Sequence, residues 1–400
     1  MTKLLAYGVL IITYIGLAIG RFPWLRMNRA AIALVGSALL IILQVPPLRE
    51  AWQAIDPTTI VFLLSMMIIN ASLDYSGLFQ IVLINILKTA HSPFGLLTLL
   101  TFGSGVLSAF LLNDTLALVF TPLTVQVCQA LSLSPIPYLL TLAAATNIGS
   151  LATLSGNPQN ILIGSFSGIR YLEFAKIMTP MATSGLILQI GLLYWMYPEV
   201  RSVQRFKQVP IPKTQTFSPL LTKSLVITSC LFMTFIVGLP LAESAFLAAS
   251  ALLITRRLRS ERFLSRVDWN LLVLFSGLFI LTRATRNLDL LSPLTQLTDL
   301  PIGLMASVTF LSNLISNVPA VLLLQPLIAP ENTQNWLLLA AGSTLGGNLT
   351  LFGAVANLII VEAANKAGYR LTFITHLQFG LPLTLVTLTI SYFWIRFNQI

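Results

Sequence analysis

Apolar residues run in long blocks along this chain, and the polar residues that interrupt the blocks recur at matched places in its two halves. A helix needs roughly 20 apolar residues to cross the hydrocarbon core of a bilayer. By that measure ten crossings are expected, at about 4 to 20, 29 to 46, 57 to 73, 136 to 165 with an interruption, 177 to 197, 219 to 238, 240 to 255, 268 to 282, 334 to 362 with an interruption, and 376 to 396. The first run ends in Arg21-Phe22-Pro23 with no small-residue cleavage site, so it reads as a span and not as a signal peptide. Two further stretches, 93 to 131 and 301 to 330, are broken in the middle by Asn113-Asp114-Thr115 and by Ser316-Asn317-Val318-Pro319, and each half is short for a crossing. Polar, helix-breaking backbone at membrane depth is tolerated only where protein or a watery cavity satisfies it. Both stretches therefore read as re-entrant hairpins with polar tips near the midplane, the alternative being two full spans joined by a turn.

Sliding the second half over the first matches three ordered blocks. Asp56-Pro57-Thr58 aligns with Asp268-Trp269-Asn270, each leading into an apolar run and then an amphipathic stretch, about 76 to 91 and 284 to 298. Leu112-Asn113-Asp114 with Pro122 aligns with Ser316-Asn317-Val318 and Pro326, and Thr153-Leu154-Ser155-Gly156 with Asn160 aligns with Thr350-Leu351-Phe352-Gly353 and Asn357. The Pro-, Gln- and base-rich segment 198–219 reads as a linker between a first repeat, 1–197, and a second, 220–400. Each repeat holds five crossings and one hairpin, and an odd number of crossings turns the second copy upside down. The expected fold is an all-α polytopic membrane protein of two inverted-topology repeats, the signature of a secondary transporter.

Composition narrows the function classes. The chain is 56% hydrophobic and 9% charged, against about 25% charged for soluble domains, which excludes a soluble protein and sets the lipid bilayer as its medium. Its net charge of +10 is scattered over apolar runs with no continuous basic face, so a nucleic-acid partner is set aside. The charge is a topology signal instead. With both termini outside, the cytoplasmic side receives Arg21, Arg26, Arg29, Lys88, the linker bases, the Arg256–Arg266 loop, Lys366 and Arg370, as the positive-inside rule requires in a prokaryotic plasma membrane. Cys128, Cys230, His91 and His376 fit no zinc or haem spacing, so no cofactor is expected, and the scarcity of nucleophiles and acid–base pairs argues against an enzyme. With no P-loop, energy must come from an Na+ or H+ gradient or from an ATPase partner.

The candidate site lies at the interruptions. Asn157-Pro158 after Ser155-Gly156 ends one half-helix and starts another, since asparagine favours the N-cap and proline the first helical position. Gly353 with Asn348, Thr350 and Asn357 takes the corresponding role in the second half. Side-chain oxygens of Asn113, Thr115, Ser155, Asn157 and Asn317 would complete an oxygen-rich shell of the kind hard cations use. Asp114 is a carboxylate at membrane depth, which makes it a functional candidate, the alternative being a cap on the returning arm of its hairpin. Glu243 and Asp74 read as interfacial, and Glu362 as the partner of Lys366.

Four motifs in order, Asn113 to Pro122, Asn147-Ile148-Gly149-Ser150 leading into Gly156-Asn157-Pro158-Gln159-Asn160, Ser316-Asn317-Val318-Pro319-Ala320, and Gly346-Gly347-Asn348-Leu349-Thr350, closely resemble the ion transporter superfamily, most of all its arsenite permease and anion permease branch. The resemblance covers nearly the whole chain. It implies a homodimeric permease with elevator-type alternating access, in which the stretches at 76 to 91 and 284 to 298 are arms linking a transport and a scaffold domain. It also implies that binding residues come from Asn113, Asp114, Thr115, Thr153, Ser155, Gly156, Asn157 and Asn160 in the first half and Ser316, Asn317, Asn348, Thr350, Gly353 and Asn357 in the second, with Na+ at Asn113, Asp114, Ser155 and Asn157. Divalent-anion symporters of the superfamily carry Ser-Asn-Thr at each tip, whereas here Asp114 adds a carboxylate that would repel a dicarboxylate at close range. The implied substrate is a small anion or oxyacid, arsenite-like or another inorganic anion, with an Na+/H+ antiporter as the alternative.

Overall fold

The computed structural model describes all residues except 1, 23–24, 204–205, 207–217, 257–258 and 399–400. Most of the expected linker and residues 257–258 of the Arg256–Arg266 loop fall outside the described residues. The first half comprises helices α1 (Thr2–Ile19), α2 (Arg29–Ile42), α3 (Leu48–Ala54), α4 (Pro57–Ser76), α5 (Leu78–Thr89), α6 (Pro93–Phe110), α7 (Asn113–Ala130), α8 (Pro135–Ser150), α9 (Pro158–Ser167) and α10 (Tyr171–Met196). The second comprises α11 (Ser218–Val237), α12 (Leu241–Leu253), α13 (Ser260–Leu264), α14 (Trp269–Asn287), α15 (Ser292–Thr298), α16 (Pro301–Ile315), α17 (Asn317–Leu324), α18 (Thr333–Gly346), α19 (Val355–Lys366) and α20 (Phe373–Phe397). A two-residue ribbon, Arg21–Phe22 with Met27–Asn28, joins α1 to α2.

The chain is an all-α membrane protein in which six of the described helices, α1, α4, α6, α10, α11 and α20, are long and apolar enough to cross a bilayer on their own. The outer ones carry exposed aliphatic and aromatic side chains, such as Ile11, Ile12 and Ile15 on α1, Val226 and Met233 on α11, and Leu385 and Phe393 on α20. At the centre, α8 is buried from Tyr138 to Ser150 and α18 from Trp336 to Gly346. A helix apolar on all sides belongs in the interior, so the polar residues near the ends of α8 and α18 are carried to the middle of the bundle.

Neighbour relations repeat between the halves. α2 lies on α14 and α12 on α4; α6 lies on α8 and α16 on α18; α9 reaches α18 and α19 reaches α8. Glu50 on α3, ahead of α4, accepts from Arg283 Nε (2.5 Å) and Asn287 Nδ2 (3.0 Å) near the end of α14. Asp74 near the end of α4 faces Arg266 just before α14 (3.9 Å). α4 and α14 therefore run in opposite directions.

Three elements differ from the sequence expectations. α6 has 18 residues, about 27 Å at 1.5 Å per residue, so this hairpin arm is longer than a short half-span. Its partner α7 runs on through Pro122 to Ala130, whereas α17 stops at Leu324 and passes into a single 3-10 turn around Pro326. The second amphipathic arm is also shorter than the first: α14 continues to Asn287, Asp289 turns the chain at φ 53°, and only seven residues of α15 follow.

Candidate functional site

The first interruption lies between α8 and α9. Asn157 has an extended backbone and its Oδ1 accepts from Asn160 N (2.8 Å), so it caps the helix that Pro158 begins, as the residue types require. The hairpin tip between α6 and α7 closes against this break. Asn113 N donates to Gly156 O (3.2 Å), the Thr153 hydroxyl donates to Ala109 O, and Ser155 Oγ meets Tyr171 OH (3.0 Å). Asn160 Nδ2 then ties the break together by donating to Ser150 O (3.1 Å) and Thr153 O (2.9 Å).

The second interruption repeats this lacing between α18 and α19. Asn357 Nδ2 donates to Gly347 O (2.8 Å) and Thr350 O (3.1 Å), the counterparts of the two carbonyls held by Asn160. Thr350 Oγ1 donates to Asn313 Oδ1 (2.8 Å), and Asn313 Nδ2 donates to Gly346 O (2.8 Å), so α16 grips the break through a side chain where α6 uses backbone. Gly156 and Gly353 are matched by close approach: a Cβ would lie 2.5 Å from Ser150 O at the first and 2.8 Å from Gly347 O at the second. At the second tip Ser316 holds φ 79° and ψ 161°, a region that L side chains rarely adopt.

The two breaks meet through a lattice of amides. Asn147 on α8 accepts from Asn113 Nδ2 (3.3 Å) and donates to Asn348 Oδ1 (3.0 Å) and Asn357 Oδ1 (3.2 Å), which links one tip to the opposite break. Thr344 on α18 mirrors it by accepting from Asn157 Nδ2 and Gln159 Nε2, both at 3.3 Å. Asn317, oriented with its nitrogen toward carbonyls, donates to Gly353 O (2.7 Å) and Ser343 O (3.1 Å) and accepts from Gln159 Nε2 (3.2 Å). The buried His376 ring nitrogen Nε2 sits 3.0 Å from Asn348 O. Asn113 Oδ1, Asn160 Oδ1 and Asn348 Nδ2 are buried and have no protein partner.

Asp114 is not part of this lattice. Successive residues of a helix point about 100° apart, so with Asn113 turned toward Asn147 its neighbour turns away. Asp114 and Thr115 line a cavity of about 100 Å³ together with Asn70, Asp74, Arg266 and Asp268. No side-chain bond caps α7, so Asp114 does not act as the cap its position offered. The four side chains expected around Na+ thus go to separate partners: Asn113 to Asn147, Ser155 to Tyr171, Asn157 to Ser150 and Thr344, and Asp114 to the cavity. The repulsion of a dicarboxylate inferred from Asp114 therefore has no source inside the lattice.

Asn147, Gln159, Asn313, Thr344, Asn70 and Asp74 were not singled out as site residues from sequence. For Asn313 a signal existed, since it lies four residues before Asn317 and polar residues are rare in apolar runs. Asn147 and Gln159 stand inside the quoted motifs, but nothing local says that they reach across to the other half.

A family model described as citrate transporter, CitMHS, matches residues 9–338. The 46 kDa membrane protein of Mycobacterium leprae is 30% identical over 99% of this chain and 99% of its own length. The silicon efflux transporter LSI3 of Oryza sativa subsp. japonica is 28% identical over 92% of each. Among solved structures, the Alcanivorax borkumensis YdaH transporter shares the fold, with a TM-score of 0.58 at 15% identity over 100% of this chain and 99% of its own. The chain belongs to the CitMHS citrate transporter family, and it is an integral membrane transporter of this arsenite-permease-like group rather than an enzyme.

Proposed function

We propose that the protein is a secondary active transporter that moves a small oxyacid, or its monoanion, through the junction of the two breaks, with Asp114 carrying the coupling Na+ or H+. The observation that carries this reading is the lattice itself: it joins both halves through carboxamides and hydroxyls, with no ionised side chain among them. Such a surface suits a small hydrogen-bonding solute better than a multiply charged carboxylate, whose burial needs opposite charge. The N-termini of α9 and α19 both start at the breaks, where their dipoles favour partial negative charge. Asn113 Oδ1, Asn160 Oδ1 and Asn348 Nδ2 supply two acceptors and one donor that a polar solute would satisfy. The relative named as a silicon efflux transporter is in keeping with an oxyacid.

The opposed directions of α4 and α14 support an inverted repeat with hairpin tips entering from opposite sides, which is the architecture of alternating access. In the plasma membrane the basic Arg256–Arg266 loop lies in the cytoplasm, both termini lie outside, and two copies form the working unit. The test is uptake into proteoliposomes of arsenite, silicic acid and citrate, with Na+ and pH gradients imposed separately. Oxyacid uptake driven by one gradient is expected, with Asp114→Asn lowering the driven rate by tenfold or more while exchange without a gradient persists. Citrate-only transport, or unaltered coupling in Asp114→Asn, would overturn the assignment; Na+/H+ exchange without oxyacid movement would make it an antiporter.

A further inference from the structure

The cavity beside Asp114 has its own chemistry, separate from the amide lattice. Three carboxylates, Asp74, Asp114 and Asp268, line it together with one guanidinium, Arg266. Asn70 is 1% exposed, lines the same cavity, and neither its Oδ1 nor its Nδ2 has a protein partner. A buried carboxamide with both ends unpaired is costly to leave so, and this one sits where its oxygen could face an ion. Arg266 is held at the cavity by Asp74 (3.9 Å) and Tyr75, whose hydroxyl accepts from Nε (3.3 Å) and whose ring lies 5.3 Å from the guanidinium carbon.

The matching positions of the second half lack this chemistry. The block alignment puts Thr282 at Asn70, Arg286 at Asp74 and Val318 at Asp114. In place of a carboxamide and two carboxylates these three positions carry a hydroxyl, a cation and an aliphatic side chain, so the second half does not repeat the acidic cluster that Asn70, Asp74 and Asp114 bring to the cavity.

We propose that this cavity is a sodium site in which Asp114 and Asp74 carboxylate oxygens and Asn70 Oδ1 face the ion, with Arg266 as a tethered positive charge that withdraws when Na+ enters. The proposal rests on the reading that Asp114 serves ion coupling. Carboxylate and carboxamide oxygens are hard donors suited to a hard cation. Among the described residues no three His, Cys, Asp or Glu side chains converge closely enough to cage a metal ion, so an ion held here by two carboxylates and a carboxamide keeps part of its water.

The test is thermal unfolding of the purified full-length protein in detergent at fixed pH, titrated with NaCl against choline chloride at constant ionic strength and without substrate. The melting temperature is expected to rise with Na+ and not with choline. Asp74→Asn and Asn70→Ala should weaken the half-saturating Na+ concentration by tenfold or more, Asn70→Asp should retain it, and Arg266→Gln should tighten it severalfold, which loss of a merely structural contact would not do. If Asp74→Asn fails to fold, the Asn70 pair and Arg266→Gln decide the matter. No Na+-specific stabilisation, or stabilisation indifferent to Asn70→Ala, would overturn the site. A proton-driven transporter with no Na+ response would overturn it while leaving the coupling role of Asp114 intact.

Discussion

At the first break α9 starts on Pro158 under a capping Asn157; at the second, α19 starts on Val355 after Ala354, with no side-chain cap. Asn160 and Asn357 nevertheless lace both breaks to the same pair of carbonyls. The tips differ too: Leu112 is relaxed at φ −56°, while Ser316 is held at φ 79°. The ends of the bundle carry reversed pairs, with the acid ahead of the helix in Glu50–Arg283 and the base ahead of it in Arg266–Asp74. The two breaks share what holds each of them open, the glycine and the lacing asparagine, while their caps, tips and flanking charges differ. The shared lacing points to a common structural duty at the two breaks.

The largest effect expected is at the glycines. Gly156→Ala presses a Cβ against two backbone carbonyls, Ser150 O at 2.5 Å and Ser108 O at 2.7 Å, and should cost about 3 kcal/mol in detergent unfolding. Gly353→Ala meets the movable Asn313 side chain at 2.7 Å as well as Gly347 O, and should cost about 2 kcal/mol. Equal losses would erase the distinction between backbone and side-chain grip. Next, Asn147→Ala strips partners from Asn113, Asn348 and Asn357 and should destabilise by about 2 kcal/mol, against about 1 kcal/mol for Thr344→Ala, which leaves Asn157 its bond to Ser150 Oγ (2.8 Å). A reversed order in melting curves would show that α18 dominates the junction.

Ser316→Gly should raise stability by about 1 kcal/mol by relieving the left-handed backbone. If the strained tip is part of the transport cycle, turnover falls in the same variant, and a stabilised variant with unchanged turnover would mark the strain as incidental. The smallest effect concerns Glu50, whose carboxyl is held below the usual carboxylate range first by the Asn287 amide and then by Arg283. A depressed folded-state value means the contribution is complete above the unfolded-state range and fades as pH falls through the lower folded value. With both partners partly exposed it stays within about 1 kcal/mol, so Glu50→Gln should only flatten the acid limb of a melting profile.

The framework of the candidate site, the places where its helices break, was legible because breaking a helix in an apolar medium demands particular residues. Gly156, Asn157 and Pro158 announce the first break by their backbone preferences, and the second follows from its spacing to Gly353 and Asn357 despite having no proline. The position of Asp114 in the chain was equally plain; its surroundings were not. Asn70 and Asp74 lie about forty residues before it, Asp268 more than a hundred and fifty after, and no local pattern ties them to one cavity.

The amino-acid sequence by itself determined the membrane medium and the four points where apolar helices are interrupted, because each follows from hydrophobic run length or from the backbone habits of glycine, proline and asparagine. Only the tertiary structure decided that Asn147 and Thr344 join the halves and that Asp114 turns from the amides into an acidic cavity. Helical periodicity fixes the angle between neighbouring side chains, but which partner stands at that angle depends on helices hundreds of residues away.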